Sequence, residues 1–475
     1  MSRKDPEHSG SNPAATCPDR RKALLAIALS PVAAALAGCG GPPPTAPGSS
    51  RKSALVVGAG LCGLRILDAL RAGGWNARLL EASQRSGGRA YTLRRGLSDG
   101  LWAEAGAERI RPNHVRVHDL LRRFHIETLA YTRPQDPYLL EHGGHRLRFK
   151  STAEFPQDVI AGLSETELRG FPGSSHLELA RVAGAPAVDD RRTAWEWLKA
   201  TGMTSSGERW VRAWSPWPID RVPATTFHRF CMAELEGREG GVTVAGGVDR
   251  LPMALAAAHE DRITYGVRVT GVDALDDGGV VTTADGRHHR ADRVILALPV
   301  SVLQKLPMGR AEEQLRRDLD RHHVENEIKL HLEVPGAAFS GDSGASVAMR
   351  TRFPRITWPG PRQGADGARV INMMALKGDV ARLQTVLAAG DEAVRRYLES
   401  TMPIVARSAR RVLWHDFTGD PLAGGAWTWT AEGTPPGGAP LRAGPLILAG
   451  SDLSSTPGWM EGALTSAEAV LQALP

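Results

Sequence analysis

The sequence predicts an α/β fold: a Rossmann-like dinucleotide-binding domain built from discontinuous segments, with a substrate-binding domain of mixed sheet and helices. Three observations lead there. Residues 53–81 read as strand, glycine turn, helix, strand and acid. Residues 263–299 read as alternating strands joined by the turns Asp277-Gly278 and Asp285-Gly286. Residues 446–474 read as an apolar strand followed by a helix. A chain of 475 residues is long enough for two domains. Its 42% hydrophobic and 23% charged content is that of an ordinary globular protein, not a disordered one. The net charge of +6 is spread along the chain without a basic stripe, so no nucleic-acid partner is expected.

The N-terminus reads as an address. In DRRKALLAIALSPVAAALAGCGG the pair Arg20-Arg21 precedes an apolar run, Ala23 to Ala37, shorter than the roughly 20 residues a membrane helix needs. A basic lead, a short apolar run and small residues at its end make 1–38 an export signal. DRRKALL resembles a twin-arginine signal, and Leu36-Ala37-Gly38-Cys39 resembles a bacterial lipobox with Cys39 as the lipidated residue. The alternative is an ordinary signal followed by a chance cysteine. GGPPPTAPGSS then makes 39–52 a flexible tether. The expected location is the periplasm or cell envelope, with membrane contact only through the lipid. Cys17 falls in the signal, and Cys62 and Cys231 are far apart, so neither a disulfide framework nor a metal site is expected.

The strongest local pattern begins at Ala54–Val57, a short apolar run suited to a buried parallel strand. Gly58-Ala59-Gly60-Leu61-Cys62-Gly63 is G-x-G-x-x-G, Leu64 to Ala72 has helical spacing, and Asn76–Leu80 is a second strand ending at Glu81. Gly58 permits the tight turn, Gly60 lets backbone approach a pyrophosphate, and Gly63 lets helix pack on strand. The helix N-terminus offers unpaired N–H groups and its positive end to phosphate. Glu81 stands where an acid accepts ribose hydroxyls. Gly87-Gly88-Arg89 follows, adding two permissive residues and a guanidinium able to bind phosphate. Cys62, inside the fingerprint, reads as a small buried residue.

Gly87-Gly88-Arg89 resembles the second phosphate-side motif of the flavin amine oxidase family, and similar motifs follow in the family's order. AGGVDRLPMALA (245–256) resembles its glycine-led helix. The segment 263–299 resembles its third cofactor segment, with Val269 beside the adenine through its backbone. Lys329, in ENEIKLHLEV, aligns with the family's active-site lysine. Alternation sets it on the face opposite Ile328, Leu330 and Leu332; the alternative is a solvated edge charge. WHDFTGDPLAGGAWTWTAEG (414–433) has Ala426 where covalently flavinylated relatives carry cysteine, which implies non-covalent FAD, and places Trp427 as one wall of an aromatic cage. In LILAGSDLSSTPGWMEGA the resemblance implies cofactor contacts from Gly450, Asp452 (usually Glu), Trp459 and Met460. It also makes Trp459 the second cage wall, with Gly458 at the substrate.

The fold thereby implied has a FAD-binding domain of glutathione-reductase type at 53–111, 241–310 and 441–475, and a substrate domain at 112–240 and 311–440. Residues 140–240 match no motif individually and correspond to the family's helical region. AEAGAERIRPNH (103–114) resembles the L-amino-acid oxidase branch, in which an arginine pairs with the substrate carboxylate; Arg109 holds that position, with His114 beyond it, and the alternative is that Arg109 pairs with Glu104, Glu108 or the flavin. Glu108 and Arg111 depart from the branch's pattern.

The expectation is oxidative deamination of an L-amino acid to a 2-oxo acid, ammonia and hydrogen peroxide, by hydride transfer to flavin N5. Lys329 and a water would assist the dioxygen step. The alternative expectation is an amine oxidase or dehydrogenase passing electrons to a periplasmic carrier; a third is a non-catalytic lipid-anchored flavoprotein subunit. A homodimer is compatible with the sequence.

Overall fold

A computed structural model describes residues 52–131, 138–142, 145–149, 155, 157–169, 174–236, 240–339, 348–350, 356–376, 378–431 and 440–474. The export signal, Cys39 and all but the last residue of the tether lie outside these residues.

The strand β1 (Ser53–Val57), the helix α1 (Leu61–Ala72) and the strand β2 (Asn76–Leu80) form the expected βαβ unit, with β1 and β2 parallel. β1 is central in a six-stranded sheet because both its faces are apolar. The sheet order is 442–443, 446–448, 293–296, β1, β2, 263–264, parallel except at its 442–443 edge. One face buries Ala54, Val56, Leu79 and Ile295 against α1 and the C-terminal helix Met460–Ala473. The other buries Leu55, Val57 and Leu296 against the antiparallel strands 269–275 and 278–283. A parallel sheet covered on both faces reads as continuous apolar runs, which is how its strands appear in the sequence.

A second, seven-stranded sheet has the order 411–416, 327–334, 369–376, 356–363, 348–350, 138–142, 145–149. Its strand Glu327–Val334 pairs on both edges, so Lys329 sits in mid-sheet and not at a solvated edge. Alternation places Ile328, Leu330, Leu332 and Val334 in a core with the helices 379–388, 391–399 and 403–408. Glu327, Lys329, His331 and Glu333 take the opposite face. The stretch 140–240, expected to be helical, is not so at its start, where Tyr138–His142 and His145–Phe149 are strands of the second sheet. Among its described residues from 157 on it is helical, ending in Ala224–Glu236, with Trp195, Trp197, Trp217 and Phe227 in the core of these helices.

Two elements depart from the expected division. Helix Val115–Arg123, assigned to the substrate half, buries Val117, Leu120 and Leu121 in the core that holds α1. Helix Glu312–Leu319 buries Leu315 and Leu319 against the other face of the same sheet. Their apolar stripes signal burial but not the partner that supplies it. Residues 51–475 form one compact unit. Among the described residues no helix is long and apolar enough to cross a membrane.

Candidate functional site

The three fingerprint glycines meet three different constraints. Gly58 has φ +103°, and a Cβ there would lie 2.5 Å from the Ala297 carbonyl oxygen; one at Gly63 would lie 2.0 Å from the Gly58 carbonyl oxygen. Only a missing side chain allows this turn and this helix–strand approach. A Cβ on Gly60 would meet nothing within 4 Å. Gly60 caps α1 without a side-chain hydrogen bond and lines a cavity, so the bare helix end faces open space suited to a pyrophosphate. The Glu81 carboxylate is fixed at the end of β2 by the N–H groups of Ala59 (2.6 Å) and Ser83 (2.8 Å), and it too lines the cavity. The residues present therefore fit a dinucleotide.

The Gly87–Arg89 segment docks on this turn, the Gly87 N–H donating to the Ala59 carbonyl at 2.8 Å. Arg89 donates to the Ala426 carbonyl (2.9 Å), Ser451 Oγ (3.1 Å) and Asp452 Oδ1 (2.8 Å), joining three distant parts of the chain. Arg89, Gly87, Gly88, Val269, Gly450 and Met460 line the cavity. Asp452 does not. It is 2% exposed, accepts from the Val300 N–H at 3.1 Å, and stands behind the wall as the anchor of Arg89. Expected to face the cofactor, this carboxylate is spent inside the protein. Arg85, not singled out in the sequence, also lines the cavity and lies 3.8 Å over the Tyr91 ring. Cys62 is buried, and burial pushes its thiol up to about 12, as befits an inert packing residue.

The cavity measures about 1820 Å³ and runs from the glycine turn to a second group of residues. There Lys329, 8% exposed, donates to the Gly106 carbonyl at 2.6 Å and lies 3.6 Å from Glu108 Oε2. Glu108 also accepts from the Trp358 indole at 2.8 Å. A buried ammonium thus has a carboxylate and a carbonyl, which a lone mid-sheet lysine requires. Glu108, a departure in the sequence, is that counter-ion.

Trp427 and Trp459 line the same cavity, and the Gly458 backbone brings them together: a Cβ on Gly458 would lie 3.2 Å from Trp427 Cβ. Trp217 packs edge-on to Trp427 at 4.7 Å between centroids. Arg111 covers the Trp459 ring at 4.0 Å, donates to the Ala233 carbonyl at 2.6 Å and pairs with Glu234. His114 contacts Trp459 edge-on at 5.1 Å. Burial, reinforced by Arg111 and His118, lowers its pKa to about 4, so it is neutral; it does not line the cavity.

Arg109 is different. It lines the cavity and is exposed to that space, yet among the described residues no carboxylate lies within 4.0 Å of it; the Tyr131 ring lies 5.7 Å from its guanidinium. Burial pulls its pKa down, but Tyr131 and the carboxylates of Glu234, Glu108 and Glu327 together hold it above the usual arginine value. Glu104, in the same segment, faces away from the cavity. It accepts from Thr92 Oγ1 (2.7 Å) and the Val248 N–H (3.0 Å), and burial pushes its pKa up to about 8. Its role is to tie three segments behind the site.

The family profile described as flavin containing amine oxidoreductase matches residues 59–474. The chain belongs to this family. FAD is the cofactor of this amine oxidoreductase, and Ala426, lacking a thiol, offers no thioether to it. (S)-6-Hydroxynicotine oxidase of Paenarthrobacter nicotinovorans is 25% identical over 89% of this chain and 99% of its own length. A putative L-amino-acid oxidase of Bacillus subtilis is 21% identical over 87% and 93%. The L-amino-acid oxidase of Vipera ammodytes ammodytes is 35% identical, over 52% and 54%. Putrescine oxidase bound to putrescine superposes with a TM-score of 0.71 at 17% identity, over 89% of this chain and 98% of that one. That likeness establishes the fold. The amine oxidoreductase family acts on small-molecule amines with oxygen.

Proposed function

We propose that this flavoenzyme oxidatively deaminates an L-amino acid, with Arg109 holding the substrate carboxylate. The observation that carries the reading is the contrast between two arginines in one segment. Arg111 is tied to Glu234 and Ala233, whereas Arg109 presents a guanidinium to the cavity without an ion-pair partner within 4.0 Å among the described residues. A planar guanidinium gives two parallel hydrogen bonds to a carboxylate, which fixes the orientation of the bound amino acid. FAD, held by the glycine turn of Gly58, Gly60 and Gly63 with Glu81, would supply the hydride acceptor. The chain's part is placement: Trp427 and Trp459 confine the amine and Arg109 fixes the other end.

The experiment is anaerobic bleaching of the yellow protein by L-amino acids and by the matching amines without the carboxylate. Arg109→Ala is expected to lower kcat/KM for amino acids by about 10²-fold, the value of a charge-assisted bidentate pair, and to leave the amines nearly unchanged. Equal losses on both would sink the clamp. The second reading, an oxidase of simple or diamine substrates, is favoured by Glu327, which lines the cavity with no lysine or arginine nitrogen within 4.0 Å among the described residues and so suits a cationic ligand. Peroxide formation in air separates oxidase from dehydrogenase. The export signal adds a proposed location in the cell envelope, tested by substituting Arg20 and Arg21 with lysine and following the protein's fractionation.

A further inference from the structure

An amine reaches the site as an ammonium, with a pKa of about 10, and cannot surrender a hydride from its α-carbon until that proton has gone. The chain needs a group to receive it. Lys329 is not available, since its ammonium is directed at the Gly106 carbonyl and Glu108. Glu108 is engaged by Lys329 and by the Trp358 indole. Asp452 is behind the wall on Arg89.

Glu327 remains. It opens the strand that carries Lys329 and shares that residue's face of the sheet. It lines the cavity together with Trp427, the cage wall, whose strand pairs with the chain at Glu325, two residues before it. Among the described residues no lysine or arginine nitrogen lies within 4.0 Å of it, so one side of its carboxylate is open to a ligand cation. Trp427 is itself packed edge-on by Trp217, at 4.7 Å between ring centroids.

We propose that Glu327 receives the substrate ammonium at the Trp427 wall and takes its proton. The step is a single transfer: an N–H bond of R–NH₃⁺ breaks, an O–H bond forms on the Glu327 carboxylate, and neutral R–NH₂ is left in the cage. No electrons move in it. The assignment rests on the amine-oxidising activity of the family and is independent of the Arg109 clamp. Taken together, the two would read a zwitterion from both ends, Glu327 on the nitrogen and Arg109 on the carboxylate.

The electrostatic surroundings agree. Burial raises the pKa of Glu327; Lys329 on its own strand, the Trp427 indole and Arg109 pull it back, and Glu108 adds to the rise. Glu234 lies beyond, paired with Arg111, and His415 faces Lys329 from the neighbouring strand. A carboxyl held above its ordinary range is better matched to accept a proton near neutral pH.

The test is the rate of anaerobic bleaching against pH for wild type, Glu327→Gln and Glu327→Asp, each with one amino acid and one plain amine. In Glu327→Gln the rate near pH 7 should fall by about 10²-fold, the usual worth of a placed base. It should then climb with pH toward the free ammonium's own pKa, where it approaches wild type, for both substrates. Glu327→Asp should keep the wild-type profile in shape at a reduced rate. A second measurement does not depend on turnover. tert-Butylammonium has no α-hydrogen and cannot be oxidised; its binding to wild type should produce an infrared band of a protonated carboxyl that is missing in Glu327→Gln. A Gln profile parallel to wild type at every pH, or the same infrared band in both proteins, would overturn the assignment. Arg109→Ala should affect only the amino acid and leave the pH profile in place, so failure of the clamp and failure of Glu327 give different results.

Discussion

The two ends of the cavity are built from different materials. At the cofactor end backbone does the work: a glycine turn, the bare N-terminus of α1, and Glu81 fixed by two N–H groups. These parts lie within one βαβ unit and its following turn. At the substrate end side chains do the work. Glu108, Arg109 and Arg111 come from one loop, Glu234 from a helix, Glu327 and Lys329 from mid-sheet, and Trp427 and Trp459 from two further segments. Errors at the first end should be steric, and errors at the second electrostatic.

The largest expected effect breaks the cofactor end alone. Gly60→Val places a side chain into open space at φ −68°, an angle any residue takes. The fold should survive with a stability change of about 0.5 kcal/mol or less. FAD should bind about 10²- to 10⁴-fold more weakly, as two charge-assisted bonds are lost. Flavin absorbance after gel filtration, beside a melting curve, measures both. A colourless but unfolded protein would show that the turn and the cradle are not separable.

At the other end, Lys329→Met leaves the Glu108 carboxylate buried without its counter-ion and should cost about 3–5 kcal/mol of stability. Adding Glu108→Gln should recover much of it, because the stranded charge is removed. A double-mutant cycle by denaturant unfolding reads the coupling, and additive losses would show that the pair is not coupled.

Between the two ends, Glu104 gives a pH test. Burial raises its folded pKa to about 8, above the ordinary carboxylate value. Its contribution to stability is therefore full below the unfolded pKa, declines as pH rises past it, and is lost above the folded pKa. The slope in that window is about 1.4 kcal/mol per pH unit at most. Glu104→Gln should flatten that part of the stability–pH curve; an unchanged slope would assign the dependence elsewhere.

The smallest effect concerns support from behind the wall. Asp452→Asn weakens one charge-assisted bond to Arg89 and should cost about 1–2 kcal/mol, seen as slightly weaker FAD retention with unchanged substrate preference. A change in preference would mean that Arg89 acts on the substrate end as well.

The same contrast explains what could be read in advance. The βαβ unit was legible because its glycines, apolar runs and acid are contiguous, and each glycine has the steric reason expected of it. Lys329 was singled out by its position together with the family resemblance; alternation alone left open a solvated edge charge. Glu327 carries the same signal, a charge two residues before Lys329 on its face of a buried strand, and was passed over. Arg111 and Glu108 looked like irregularities because their partners, Glu234 and Lys329, are more than 100 residues away in sequence. Asp452 was read as a cofactor contact; its carboxylate instead lies on Arg89, a contact no spacing encodes.

The sequence by itself determined the fold class, the glycine turn with its acid, and the set of charged and aromatic residues available to the site. Periodicity and glycine sterics act over a few residues and leave their mark locally. Tertiary structure alone decided which charges neutralise one another and which stay open to the cavity. Lys329 went to Glu108, Arg111 to Glu234 and Arg89 to Asp452, leaving Arg109 and Glu327 in the cavity wall without an ion-pair partner within 4.0 Å among the described residues. Ion pairing in a buried site depends on distances of a few ångströms between segments hundreds of residues apart, and only the packed fold sets those.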